Sequence, residues 1–189
     1  MTMIQEIQAE IKRRCESDGN FFGMGNYYHT RDVVKYAVEL AELYGADTEV
    51  CEIAAWLHDI ASVTDFSLYQ DHHIHGANIA QEILESYDYP QEKIDLVKLC
   101  ILNHRGSVPN AKTTIEEVCV ADADAISHFD ALPSLFYLAF VKRGLNLEQG
   151  TKFVRQKLER SYDKMSDQSK AHYKGTVEAV LSLLGEFNE

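Results

Sequence analysis

The sequence has few residues that interrupt helices. Only three of its 189 residues are proline, namely Pro90, Pro109 and Pro133. Between them, apolar residues recur at spacings of three and four, which is the period of an amphipathic helix. No run of alternating apolar and polar residues is long enough to indicate a β-strand. These patterns predict an all-α fold.

Cysteine is scarce and scattered along the chain. Cys15, Cys51, Cys100 and Cys119 lie far apart, form no C-x-x-C pair and are flanked by apolar residues. They therefore lack the paired spacing of a redox or thiolate-metal motif. We expect four buried, reduced thiols, because free cysteine is among the most buried residue types.

The sequence has fewer basic than acidic residues. The chain has 18 basic and 30 acidic side chains, a net charge of −12, and no Lys/Arg-rich run. Such a protein repels phosphate backbones, so a nucleic acid polymer is not an expected partner. A small anionic substrate would need a metal ion or a few well-placed cations to bind here.

Long apolar runs are also absent. The first 17 residues lack the apolar segment of a secretory signal, and no apolar stretch approaches the roughly eighteen residues that span a bilayer. We therefore expect a cytoplasmic protein that does not enter a membrane.

What the chain does contain is a succession of helical segments. The length and the 46% hydrophobic content fit one domain with one core. Thr113 or Thr114, followed by Glu116 and Glu117, has the pattern of a helix N-terminus. The predicted helices run from Ile4 to Ser17, from after Asn26 to Gly45, from Asp47 or Thr48 through Ala61, from His73 to Ser86, from Gln91 to His104, from Thr114 through Ala131, after Pro133, from Leu147 to Met165 and from Gln168 to Phe187.

The most informative motif is His58-Asp59 within EIAAWLHDIA. Apolar residues cover most of the circumference of this predicted helix, so we expect it to be buried. A buried imidazole and a buried carboxylate each need a partner, and one shared metal ion would satisfy both. The structural alternative is a core histidine bonded to a carbonyl, with Asp59 in an ion pair.

Further residues of ligand type lie in other segments. His29 extends the apolar stripe of its own helix and is predicted to point into the bundle. Asp122 and Asp124 lie among Val, Ala and Ile without a neighbouring basic residue, and a buried aspartate requires a metal or an arginine. The segment DHHIHG at 71–76 and His104 add imidazoles. Imidazole and carboxylate ligands suit Mn²⁺, Fe²⁺, Zn²⁺ or Ni²⁺.

The order His29, then His58-Asp59, then an aspartate resembles the His…His-Asp…Asp pattern of the HD superfamily of metal-dependent phosphohydrolases. AAWLHDIA is similar to the apolar-His-Asp-Ile stretch of that family, HTRDVVKYAVELA to its first-ligand helix and VADADAISHF to its last. The resemblance covers residues 20–145 and implies one HD-type helical bundle across 1–189. Mixed charges at about 147–187, including Lys157 and Arg160, indicate a solvated face, so these helices are assigned a supporting role.

The resemblance also implies which residues hold the metal. Asp124 is preferred as the last ligand because Ala123-Asp124-Ala125-Ile126 fits the family motif. Helical periodicity favours Asp122 instead, so Asp122 stays the alternative. The implied ligands of one metal ion are His29, His58, Asp59 and Asp124.

A second metal is implied by the family members that carry two more histidines between the His-Asp pair and the last aspartate. His104 matches the second of these histidines. His75 is preferred for the first because it enters the helix GANIAQEIL directly, with His72 and His73 as alternatives.

The implied activity is hydrolysis of a nucleotide or a related small phosphoester. One or two divalent ions (Mn, Fe, Ni, Zn or Mg) would activate water, Asp59 would touch both metal and water, and Arg105 would contact phosphate. Arg31 lies two residues after His29, whereas family members often place an arginine three residues after it. The alternatives are a di-iron oxygenase of the same fold and a non-catalytic nucleotide-binding regulatory module. The sequence leaves a homo-oligomer open.

Overall fold

The computed structural model describes residues 1–18, 20–105 and 111–185, and these residues form helices without any strand. The predicted all-α fold is therefore confirmed. The helices are α1 (Met3–Glu16), α2 (Met24–Tyr44), α3 (Thr48–Leu57), α4 (Ile60–Thr64), a 3₁₀ helix (Phe66–Asp71), α5 (His72–Glu85), α6 (Gln91–Asn103), α7 (Ile115–Asp130), α8 (Leu132–Tyr137), a π-helical turn (Leu138–Lys142), α9 (Leu147–Asp163) and α10 (Asp167–Leu183).

Local side-chain chemistry accounts for several helix ends. The Thr114 hydroxyl accepts from the backbone N–H of Glu117, whose carboxylate accepts in return from the backbone N–H of Thr114. This capping box begins α7 where the sequence predicts it. Gly45 ends α2 in the left-handed region at φ 73°, a conformation that a residue without Cβ adopts at little cost. Most of the predicted loop from Arg105 to Lys112, and the predicted helix end at Phe187, lie outside the described residues.

The helix predicted to continue through His58-Asp59 is in fact interrupted there. Helix α3 ends at Leu57, and α4 begins at Ile60. Between them Asp59 leaves the helical region, at φ −107° and ψ 12°. Adjacent residues on a regular helix point about 100° apart. The break therefore changes the directions in which the His58 and Asp59 side chains project.

The core lies between α2, α3, α6 and α7, with α5 packed along α6. Most of its largest fully buried side chains are aliphatic, and burying each aliphatic one stabilises the fold by about 1.5–3 kcal/mol. All four cysteines are buried and free, as predicted. The fully buried aliphatic residues include Leu40, Ile53, Leu57, Ile60, Ile101 and Ile126.

Helices α9 and α10 pack against α7 and against each other. Asp122 of α7 accepts hydrogen bonds from the backbone N–H and the hydroxyl of Ser166, the N-cap residue of α10. This contact fixes the start of the last helix against the bundle. Among the described residues, no helix is long and apolar enough to cross a membrane.

Candidate metal centre and cleft

His58 lies at the end of α3, and its side chain is buried. Its Nδ1 is 2.8 Å from the carbonyl oxygen of Ala55. A carbonyl can only accept, so Nδ1 carries the proton, and Nε2 of the neutral ring presents a lone pair. This Nε2 is buried, has no hydrogen-bond partner among the described residues and lies 3.5 Å from Oδ2 of Asp59.

Asp59, in the break after α3, is held from three sides. Asn26 of α2 donates a hydrogen bond from Nδ2 to Oδ2 at 3.3 Å. Oδ1 faces Nε2 of His72 at 3.4 Å. Burial alone would raise the pKa of Asp59, but His58, followed by the imidazoles of His72 and His104, holds it well below its usual value. The carboxylate is therefore ionised across the neutral pH range.

His72 and His104 form a pair where α5 begins and α6 ends. The Nδ1 atoms lie 2.8 Å and 2.6 Å from the carbonyl oxygens of Tyr69 and Ile101, respectively. Both rings therefore carry their proton on Nδ1, and their Nε2 atoms face each other at 3.2 Å. Burial lowers the pKa of His104 to about 3, which keeps its ring neutral.

His29 of α2 and Asp124 of α7 meet on the other side of the centre. Nε2 of His29 lies 3.3 Å from Oδ1 of Asp124. The Ser127 hydroxyl donates to the Asp124 carbonyl, so its oxygen accepts from Nδ1 of His29 at 3.2 Å. Burial would raise the pKa of Asp124, but Lys164, with Nζ 3.0 Å from Oδ2, holds it well below its usual value.

The ligand-type atoms converge into three overlapping groups, each able to hold a metal ion. Within each group these atoms lie within 4.8 Å of one another. Asp59 links the first group to the third, and His29 links the first to the second, so the three sets form one continuous centre. The groups are His29, His58 and Asp59; His29, Asp124 and His128; and Asp59, His72 and His104.

The four residues assigned to the first metal from the sequence all belong to this centre, and so does His104; the four are His29, His58, Asp59 and Asp124. Asp122 does not join them, because its carboxylate binds Ser166 instead. His75, preferred from the sequence as the partner of His104, does not face it in the structure. His75 is exposed on α5 and lies in none of the three groups, whereas His72, three residues earlier, faces His104.

His128 was missed in the sequence. It lies one helical turn after Asp124 on α7 and is buried, and its ring centroid lies 4.8 Å from that of His29, with the ring planes tilted. The spacing of four residues from Asp124 was the available signal, since such pairs share a helix face. Its pKa lies well below the usual value, mainly because of burial and then because of the charge of Lys157.

An open cleft lies beside the centre and has two lobes. The larger, polar lobe of about 580 Å³ reaches His72, His104, Arg105 and Lys164. Arg105 also donates a hydrogen bond to the Gln70 carbonyl. The second lobe, of about 360 Å³, is more apolar and is lined by Phe22, Leu135, Leu138 and Phe153, among others. Asp59, His29, Tyr69, His128, Lys157 and Arg160 line both lobes.

The supporting role assigned to the C-terminal helices also needs correction. Lys157 of α9 is half-buried rather than solvated, and burial lowers its pKa. Arg160, one turn later, is exposed but lines the same cleft. The period of α9 places these two cations and Lys164 on one face, next to the imidazole and carboxylate centre.

The chain is similar to known proteins in sequence and in fold. The HD domain family model matches residues 26–128, which is more than half of the chain. An uncharacterised protein of Clostridium beijerinckii is 35% identical over 95 residues, covering 49% of this chain and 60% of that protein. Ribonuclease Y of Thermoanaerobacter pseudethanolicus is 34% identical over 104 residues, covering 51% of this chain and 18% of the enzyme. The matched segment spans less than two thirds of either relative.

Solved structures share the fold over almost the whole chain. Bacillus subtilis YpgQ superimposes with a TM-score of 0.69 at 18% identity, covering 97% of this chain and 94% of that one. A structure of YpgQ in complex with ADP has a TM-score of 0.66 at 19% identity, with coverages of 94% and 93%. An HD-superfamily hydrolase from Bacillus thuringiensis has a TM-score of 0.69 at 21% identity, with coverages of 97% and 94%. From the family match and the shared fold, the chain belongs to the HD domain family.

Proposed function

We propose that the protein is a metal-dependent phosphohydrolase that acts on a nucleotide or a related small phosphoester. The observation that carries the proposal is the common orientation of four histidines. Each ring places Nδ1 against an oxygen and aims Nε2 at the carboxylate of Asp59 or Asp124, or at another imidazole; the four are His29, His58, His72 and His104.

The donor set fits a divalent metal. In the neutral tautomer with Nδ1 protonated, each ring presents the lone pair of Nε2, and the carboxylates of Asp59 and Asp124 present further lone pairs to a metal ion. The buried Nε2 of His58, without a partner among the described residues, is the plainest case. Histidine ligands commonly donate the other ring N–H to a carbonyl or similar group, which fixes the tautomer and the ring orientation. The nitrogen and oxygen ligands suit Mn²⁺, Fe²⁺, Ni²⁺ or Zn²⁺.

The first ion would be held by His29, His58, Asp59 and Asp124, and a second by Asp59, His72 and His104. A bound divalent ion supplies a Lewis acid that lowers the pKa of water and offsets negative charge on phosphoryl oxygens. Mg²⁺ is a further candidate, although it favours oxygen ligands.

The remaining groups orient the reaction. Asn26 holds one Asp59 oxygen, and the Ser127 hydroxyl fixes the tautomer of His29. Asp59 directs one oxygen to each side of the centre, so it is placed to orient the attacking water towards phosphorus. Arg105, in the polar lobe, is the proposed contact for a phosphoryl oxygen.

The nucleotide part of the proposal has two supports. Four cations line the polar lobe in a chain of net charge −12, and cations placed beside the metal ligands favour a small anionic substrate; they are Arg105, Lys157, Arg160 and Lys164. YpgQ, which shares the fold, has been solved in complex with ADP.

Phosphate release from a nucleotide panel tests the proposal. Wild-type protein should release phosphate with added Mn²⁺, Mg²⁺, Co²⁺ or Ni²⁺, and His58→Ala and Asp59→Ala should lose at least about 100-fold in rate. Lys174→Ala, on the exposed pair with Glu178 of α10, serves as the control. A folded, metal-loaded wild type that releases no phosphate would remove the hydrolase proposal; oxygen consumption by an iron-loaded sample would replace it with an oxygenase.

A further inference from the structure

Lys157 and Arg160 belong to neither the metal ligands nor the matched family segment. The family match ends at residue 128, and both cations lie on α9. Even so, both line the two lobes of the cleft, next to Asp59 and His128. Their position at the junction of the lobes calls for a separate explanation.

Lys157 and Arg160 differ from two basic residues close to them, Lys164 and Arg155, in making no hydrogen bond or ion pair. Lys164 pairs with Asp124 at 3.0 Å, and Arg155 of α9 pairs with Glu159 at 2.8 Å. Across residues 1–18, 20–105 and 111–185, neither Lys157 nor Arg160 makes a hydrogen bond or an ion pair. The carboxylates of Asp124 and Asp59 attract Lys157 only from beyond ion-pair distance. A half-buried lysine that faces a cleft without a direct counter-ion is well placed to bind an anion from outside.

The spacing of the cations indicates an extended anion. Lys157 and Arg160 are three residues apart on a helix, so their backbones are separated by about 4.5 Å along its axis. Lys164 continues the same face, and the row spans roughly 10 Å. A single phosphate contacts only part of such a row, whereas linked phosphates can lie along it.

The apolar lobe offers space for the rest of the substrate. Phe22, Leu138 and Phe153 line it, and Lys157 and Arg160 stand where it opens onto the metal centre. An organic group in this lobe would direct its phosphates past both cations towards Asp59. Aromatic and apolar walls with a few placed charges are typical of small-molecule sites.

We propose that Lys157 and Arg160 bind a chain of at least two linked phosphates, with the organic group of the substrate in the apolar lobe. The preferred substrates are then esters of di- or triphosphate, such as nucleoside polyphosphates, and phosphate monoesters are poor substrates. This substrate class rests on the proposed hydrolase function, whereas the anion site itself can be tested by binding alone.

The test compares two anions that resist hydrolysis, methylenediphosphonate and methylphosphonate, by calorimetry on protein without added metal. Wild-type protein should bind the diphosphonate at least about tenfold more tightly, because charge-assisted hydrogen bonds to two cations are then made together. Lys157→Met and Arg160→Met should each weaken diphosphonate binding by about tenfold or more. Lys157→Arg should keep most of the affinity, and Lys174→Met should leave it unchanged.

Three results would overturn the inference: no diphosphonate binding by the wild type, equal affinity for the two anions, or the same loss in Lys174→Met as in the α9 variants. Circular dichroism confirms that each variant is folded. His58→Ala separates this inference from the proposed function, because it should abolish phosphate release and still bind diphosphonate. Diphosphonate binding in the expected pattern, without any hydrolysis by the wild type, would keep the anion site and remove the hydrolase.

Discussion

The Nε2 atoms of His72 and His104 face each other at 3.2 Å, and both rings donate their Nδ1 proton to a backbone carbonyl. In their neutral forms, two rings in this orientation present lone pairs to one another, which is unfavourable unless a cation lies between them or beside them. The nearby Asp59 oxygen, 3.4 Å from Nε2 of His72, adds a third lone-pair donor. This arrangement has the chemistry of a metal site.

Replacing His72 should weaken metal binding, whereas replacing His75 should not. His72→Ala removes an Nε2 that faces both Asp59 and His104, while His75 is exposed and outside the three groups. We expect the affinity for Mn²⁺ at the weaker site to fall by at least about 10–100-fold in His72→Ala. Titration calorimetry on both variants provides the measurement. Equal binding by His72→Ala and wild type would show that this histidine is not a ligand.

The two aspartates of α7 should differ in what their loss affects. Asp122→Ala leaves the Ser166 donors without their acceptor, so we expect the free energy of unfolding to fall by about 1–3 kcal/mol with metal content unchanged. Asp124→Asn should instead reduce metal content. Urea denaturation and elemental analysis of both variants test this. Loss of metal in folded Asp122→Ala would restore Asp122 as the ligand.

Acid should destabilise the metal-free protein. Burial lowers the pKa of His104 to about 3 in the folded chain, so the folded ring stays neutral in mild acid. In the unfolded chain the same ring has its ordinary pKa near 6.5 and takes up a proton when the pH falls below that value. Its contribution is complete above that ordinary value and is lost as the pH falls from there towards 3. We expect protonation of His104 in the unfolded chain to lower the free energy of unfolding by about 2 kcal/mol between pH 7 and pH 5.

The measurement for this prediction is urea denaturation in EDTA at both pH values, with His104→Gln beside the exposed His172→Gln. The His104 variant should show a smaller drop between pH 7 and pH 5, and the His172 variant should match the wild type. A pH dependence that His104→Gln leaves unaltered would contradict the burial of a neutral ring at this position.

Helix α9, which carries the two unpaired cations, is held close to the π-helical turn at Gly150. A Cβ added there would clash with the Phe140 ring, whereas nothing lies within 4 Å of a Cβ at Gly175 of α10. Gly150→Ala should lower the unfolding free energy by about 1–3 kcal/mol through overpacking. Gly175→Ala should raise it by about 0.5–1 kcal/mol through helix propensity. Thermal or urea denaturation of the pair tests this, and a neutral Gly150→Ala would show that Phe140 moves aside freely.

Apolar periodicity and end signals were sufficient to predict most of the helices. The capping box at Thr114 and the left-handed Gly45 depend on local chemistry that the sequence displays. The break at Asp59 was not predicted, because Ile60 and Ala61 continue the apolar pattern while the backbone departs from the helix. Periodicity records which residues are buried, and it does not record a local change of backbone angle.

The site residues were harder to predict where several candidate ligands lie close together in the sequence. His72, His73 and His75 fall within one turn of α5, and only the position of α6 determines which of them meets His104. Lys157 and Arg160 look like an ordinary solvated helix face until α9 is placed against the centre. Such choices depend on long-range packing, which a single sequence does not encode in any local pattern.

The metal content of the purified protein tests the central claim most directly. After incubation with Mn²⁺, Fe²⁺, Ni²⁺ or Zn²⁺ and removal of free ion, elemental analysis should find about one or two ions per chain in the wild type and in the His75→Ala control. Folded His58→Ala and Asp59→Ala should hold far less. A folded wild type that retains none of these ions would contradict the claim that these imidazoles and carboxylates form a metal centre.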